Sequence, residues 1–167
     1  LLGREPVIEL NLKPQQGDGS LKGELDLSDV KIRKLDIRNQ PGITSVDLSN
    51  AAFLTGLNTG YLHSIDVSDS PFIGSIDVIC DEITLGDKEC IDWLRTVGAK
   101  DVDLSGVKDL YSVHIIGAEN ITFGQEYKSL WYFTISGLPD ESYTVPYFEA
   151  DQPFSFGIGP DGSYYQR

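Results

Sequence analysis

A short apolar–polar–apolar unit recurs along the chain, as ELDLS, KLDIR, SVDLS, SIDVS, SIDVI and DVDLS. Alternation with a period of two marks a short strand with one buried face. An apolar residue often stands three positions upstream: Ile32 before Leu35, Ile43 before Val46, Leu54 before Leu57, Leu62 before Ile65 and Ile73 before Ile76. The unit therefore reads I/L-x-x-L-D-V, and a turn of Ser, Asn, Gly and Pro follows it.

The middle, outward-pointing residues of these units fall into two interleaved series. Asp26, Asp47, Asp66, Thr84, Asp103 and Thr122 are separated by 21, 19, 18, 19 and 19 residues. Asp36, Asn58, Asp77, His114 and Thr134 are separated by 22, 19, 37 and 20, so one member is missing where the step spans two turns. Both series predict a coil of about 20 residues per turn, in which each turn buries its apolar face against the next. A shift of 56 residues lays VDLSNAAFLTGLN on VDLSGVKDLYSVH and supports the same repeat.

The gap is filled by DKECIDWLRTVGAK. Its Ile91, Leu94 and Val97 recur at i, i+3 and i+6, and Gly98 is placed as a stop, so the spacing predicts one short helix over 88–97 on the back of the coil. The expected fold is mainly β: a right-handed solenoid with a parallel front sheet, that helix behind it, and capped ends. Residues 1–20 are expected to cap the N-terminal end, 21–136 to form the solenoid, and the aromatic-rich 137–167 to cap the C-terminal end, all within one domain. The front pairs Leu25/Leu27, Val46/Leu48, Ile65/Val67, Ile83/Leu85, Val102/Leu104 and Ile121/Phe123 are the expected core ladders. The back pairs Leu35/Ile37, Ile76/Val78, Val113/Ile115 and Phe133/Ile135 face them.

ITSVDLSN, LHSIDVSDS and IGSIDV resemble the short leucine-rich repeats of bacterial cell-surface and secreted proteins, over roughly residues 21–135. The Asn that ends many leucine-rich strands is present only irregularly, as at Asn39 and Asn50. The resemblance implies a non-enzymatic, adhesion-type module that presents a rigid sheet to a protein or glycan partner. It also implies an extracellular or cell-surface location. The opening LLGREPVIEL lacks Met and reads as trimmed, so a signal or anchor is expected outside it.

Composition narrows the partners. The 167 residues carry a formal charge of −13, which repels phosphate backbones and anionic lipid and argues against nucleic acid. No apolar run reaches the roughly 18 residues of a membrane span. A monomer without cofactor is expected.

The candidate binding surface is the front column Asp26, Asp47, Asp66, Thr84, Asp103 and Thr122. Its carboxylates fit a basic partner, or Ca²⁺, but no D-x-D-x-D-G loop appears and no metal site is assigned. The plain alternative is that these Asp accept hydrogen bonds from neighbouring Ser and Thr. Cys80 and Cys90 either pair in a disulfide, as suits an exported protein, or remain structural thiols. His63 and His114 make no metal triad, and there is no G-x-S-x-G elbow, so no catalytic residue is assigned. The alternative functions are a carbohydrate-active or metal-dependent solenoid enzyme built on the Asp ladder, and a structural spacer of a larger surface protein.

Overall fold

Each repeat of the sequence makes one turn of a β-solenoid, about six turns at roughly 19 residues per turn. The structure is a computed structural model that describes residues 8–12, 21–124, 127–137, 156–158 and 164–166. In chain order the strands are β1 (Ile8–Asn11), β2 (Gly23–Asp26), β3 (Ile32–Ile37), β4 (Ile43–Asp47), β5 (Gly56–Asp66), β6 (Ser75–Thr84) and β7 (Ile91–Val97). They continue as β8 (Asp101–Asp103), β9 (Leu110–Ile116), β10 (Asn120–Thr122), β11 (Tyr132–Ser136), β12 (Phe156–Ile158) and β13 (Tyr164–Gln166).

The back of the coil is a seven-stranded sheet in the order β1-β3-β5-β6-β7-β9-β11, parallel throughout. The front is stitched by the parallel pairs β2–β4 and β8–β10 and by the last third of β5 and β6. β5 and β6 run unbroken from back to front, so those two turns pair along both faces. At the ends, β1 is the edge strand of the back sheet, and the antiparallel pair β12–β13 contributes a strand close to β11. The rest of the expected caps, 1–7, 13–20 and most of 138–167, lies outside the described residues.

Register explains the core. Leu35, Leu57, Ile76, Leu94, Val113 and Phe133 stand side by side on successive turns and are all 0–1% exposed. Across the coil, Leu27, Leu48, Val67, Leu85 and Leu104 are buried, with Leu25, Val46, Ile83, Ile121 and Phe123 packed against them. Each such side chain removed from water contributes about 1.5–3 kcal/mol, and only a neighbouring turn can provide the cover.

The expected helix over 88–97 is not there: Ile91–Val97 is strand β7, and among the described residues the chain has no helix. Ile91, Leu94 and Thr96 are buried while Asp92 and Trp93 point out. Two successive outward residues at a corner set the inward positions three apart, which imitates a helical period. The same corner gives Ile32/Leu35, Leu54/Leu57, Ile73/Ile76 and Leu110/Val113. Arg95 thereby supplies the missing member of the back series, between Asp77 and His114.

The front-to-back corners are held from the neighbouring turn. Ser70 Oγ donates to the Ala51 carbonyl at 3.0 Å. Lys88, one repeat later and 1% exposed, donates from Nζ to the carbonyls of Val67 at 3.0 Å, Asp87 at 3.3 Å and Ser68 at 3.4 Å. Burial pulls the Lys88 ammonium below its usual pKa, opposed by the nearby Asp66, Asp87 and Asp69. Tyr127 plays the equivalent role farther along the coil, its hydroxyl donating to the Leu104 carbonyl at 2.9 Å. At the back-to-front corners the chain reverses through Gly98 and Gly117, at φ of +91° and +81°, where a β-carbon is strained.

Substitutions at three positions test this packing. Thr59 and Thr96 occupy inward positions with a buried hydroxyl that has no hydrogen-bond partner among the described residues. Thr96→Val should stabilise by about 1 kcal/mol and raise the melting temperature by about 2–4 °C. Val113→Asp should lose at least about 3 kcal/mol by placing an unpaired charge between turns; melting with wild type would refute the register. At the corner, Lys88→Met keeps the volume, and the Val67 carbonyl still accepts the Ser70 N–H at 3.0 Å, so urea unfolding should shift by less than about 1 kcal/mol. Lys88→Ala leaves a cavity and should cost about 2–4 kcal/mol.

Candidate functional site

The front column stands in the expected register. Asp26 pairs with Asp47, Asp66 with Thr84, and Asp103 with Thr122, and all six are exposed. Each carboxylate has a local task. Asp26, Asp47, Asp66 and Asp103 accept the backbone N–H of Ser28, Ser49, Ser68 and Ser105, at 2.9–3.0 Å. This Asx-turn satisfies the corner as the chain leaves the strand. The sequence matches: DLS, DLS, DVS and DLS where Asp is present, but TLG and TFG where Thr84 and Thr122 replace it. The Ser hydroxyls and N–H groups hold the Asp26 and Asp103 carboxyls below their usual pKa. Glu24, Asp26, Asp47, Asp66 and Asp69 together line an acidic groove of about 400 Å³. Among the described residues, no group of three or more His, Cys, Asp or Glu is arranged to hold a metal ion.

The back column is different, because its charges close on one another. Arg38 forks onto Asp36 at 2.6 and 3.0 Å, and the Asp36 carboxyl lies below its usual pKa, chiefly through Arg38, with a further hydrogen bond from Asn58. Arg95 donates to Asp77 at 2.8 Å. His114 is pushed below its usual pKa, first by burial and then by Arg95. On the neighbouring corner His63 and Tyr61 both meet Asp81, at 3.0 and 2.6 Å, and these bonds raise both pKa values.

The candidate disulfide does not form: both cysteines are free. Cys80 is fully buried beside Leu62, where later turns place Ala99 and Ala118, and its thiol is pushed up to about 11, mainly by burial. Cys90 sits exposed at the opposite corner, with Asp92 the nearest partner. Cys80 is thus a small core residue on a strand that continues extended to Thr84.

An exposed aromatic edge is the feature that sequence reading missed. Phe53, Phe72, Trp93, Tyr111 and Trp131 are 42–71% exposed. All lie within two residues of the buried corner positions Leu54, Ile73, Ile91, Leu110 and Leu130, so they follow one longitudinal edge of the coil. Tyr111 and Trp131 stack with ring centroids 6.1 Å apart. Three different corner positions contribute, so no fixed spacing betrays the edge, although every residue in it immediately flanks an inward apolar position.

The capping role of the front Asp is testable by substitution and by pH. Asp103→Ala should cost about 0.5–1.5 kcal/mol by orphaning the Ser105 N–H, and Asp103→Asn less. Because folding lowers the Asp26 and Asp103 pKa values, their contribution is complete above the unfolded value near 3.8 and is lost as pH falls through the lower folded one. Urea midpoints between pH 6 and 2.5 should therefore drop less steeply at the acid end in Asp103→Asn than in wild type.

Among the described residues no helix is long and apolar enough to cross a membrane. Compared with family models, with curated proteins and with solved structures, the chain finds no match in any of the three.

Proposed function

We propose that the chain is a non-enzymatic binding module that presents its aromatic edge and the adjoining sheet to a protein or glycan partner. The observation that carries this reading is the edge itself. Five large aromatic side chains are left in solvent along one line of the coil, whereas most of the large aliphatic residues among those described pack into inward ladders. Exposed apolar patches on this scale mark interaction surfaces, and Trp and Tyr are the residue types that carry interface energy. The scaffold supports it: the outward positions are fixed by parallel register on every turn, so little ordering entropy is lost on binding. The acidic front groove adds a second surface that steers basic groups toward the coil.

The test is an array of glycans and a panel of purified proteins, probed with wild type and with a variant carrying Phe53→Ser, Phe72→Ser, Tyr111→Ser and Trp131→Ser. These sites are exposed, so the variant should melt close to wild type. Binding seen with wild type should weaken at least tenfold. Binding kept by this variant and lost on changing Asp47 and Asp66 together to Lys would assign the function to the front column instead.

A further inference from the structure

We infer that the outward face of the back sheet around β6 and β7 is a self-association surface, on which a second copy of this chain packs back to back about a two-fold axis. The inference rests on the reading of this sheet as a binding face and names its partner. It uses other residues than the four aromatic side chains exchanged in the edge variant, and it replaces the expected monomer.

This face is open and balanced in charge. Among the described elements, nothing packs on the outside of β6 or β7. Trp93 is 42% exposed and Ile79 37%. The charges close on one another: Glu9 lies 3.9 Å from Arg33 and Lys34, Arg38 holds Asp36, and Arg95 holds Asp77. A net charge of −13 holds copies of this chain apart in general. The excess lies elsewhere, on the front column and the corners, so the back is where two copies meet without stacking it.

What selects a copy is self-complementarity, the condition for a two-fold interface. Ser75 neighbours Trp93, Asp77 neighbours Arg95, and Ile79 neighbours Val97 across β6 and β7. All six point outward, alternating with the buried Ile76, Val78, Leu94 and Thr96. A two-fold axis along the strands, midway between β6 and β7, lays each member of a row over the other member in the partner. Small Ser75 then receives the partner's large Trp93, Asp77 meets the partner's Arg95, and Ile79 meets the partner's Val97, each contact made twice. The two ion pairs become a square of alternating charge. One turn farther out the match holds: Asn58 comes opposite the partner's His114, and Tyr61 opposite the partner's Ile116. A partner with one sign of charge, or a flat apolar one, matches only part of each row.

Geometry and area agree with a weak dimer. The axis keeps the strands of the two sheets aligned, which is how stacked sheets pack their side chains. β5, β6, β7 and β9, spaced about 4.8 Å apart and contributing about five residues each, give a plan of roughly 19 by 17 Å. With the relief of the side chains, and counting both copies, the contact buries roughly 1,000 Å², the lower end of specific interfaces.

The probe is the full chain itself, in sedimentation equilibrium from about 10 µM to about 1 mM. Wild type should pass from monomer to dimer within this range. Asp77→Arg and Arg95→Asp each set like charges across the axis and should weaken association at least tenfold. Mixed in equal amounts, the two variants oppose Arg with Asp at both sites and should associate at least as tightly as wild type. Ser75→Trp fills the space that the partner's Trp93 needs and should abolish the dimer; at an exposed position it should melt close to wild type. The four-fold serine variant of the edge should dimerise like wild type. The inference is overturned if wild type stays monomeric throughout, if either charge variant dimerises like wild type, or if the mixture associates no better than its components. A dimer abolished in the serine variant and unmoved by the charge variants overturns it too, by placing the contact at the edge. A glycan or protein bound by wild type and lost by the serine variant leaves the aromatic edge standing under each of these results.

Discussion

The constraint on which everything else depends is that each turn must come back to the same height as the one before. Parallel ladders form only between positions in register, and a single turn has no other way to cover its apolar face. Turns in the back sheet therefore differ by no more than a few residues, with 22, 19, 18, 19 and 20 between successive outward positions from Asp36 to Thr134. The corners absorb the variation, and their backbone groups must be satisfied inside the coil or by side chains. Lys88, Ser70 and Tyr127 do this from inside, and the front Asp do it from outside.

Division of labour on the surface follows. An outward position on the front, just before a corner, is recruited to hold that corner, so an acidic column arises from local backbone chemistry. On the back, among the described residues, only Asp36 holds a turn in this way, accepting the Arg38 N–H at 3.2 Å; the outward positions from Asn58 to His114 lie away from the strand ends. They are free to pair with each other across turns, as Asp77 does with Arg95, or to be small. The aromatic edge and the open row at Gly56 and Ser75 stand where neither core packing nor corner capping dictates the side chain.

Much of this was legible in the sequence because period-two alternation and the 19-residue step both report directly on burial. The core ladders and the Asp26-to-Thr122 column were readable for that reason. β7 was not, because a corner with two outward residues, Asp92 and Trp93, spaces Ile91 and Leu94 like a helix. The discriminating sign was available in the same spacing at Ile32/Leu35 and Leu54/Leu57. The cysteines were undecided for another reason: their spacing left a bond and structural thiols both open, and only the wound coil shows that Cys80 is present for its size, buried as Ala99 and Ala118 are on later turns. Rows across the sheet are invisible in one dimension, since Lys34, Gly56, Ser75 and Trp93 become neighbours only once the coil is wound.

The unbroken passage of β5 and β6 around the corner gives the coil an uneven mechanical profile. These two strands are 11 and 10 residues long and pair at eight positions on both sides of a one-residue register shift between Asn58 and Tyr61, where other front connections pair through strands of 3 to 5. A load applied to the two ends peels the short-paired outer turns first and reaches the double-faced middle last. The molecule thus behaves as a clamp with yielding ends, and the row containing Gly56 and Ser75 is carried on its stiffest region. If this chain is tethered under flow or traction, that surface holds its shape after the terminal turns have begun to give way.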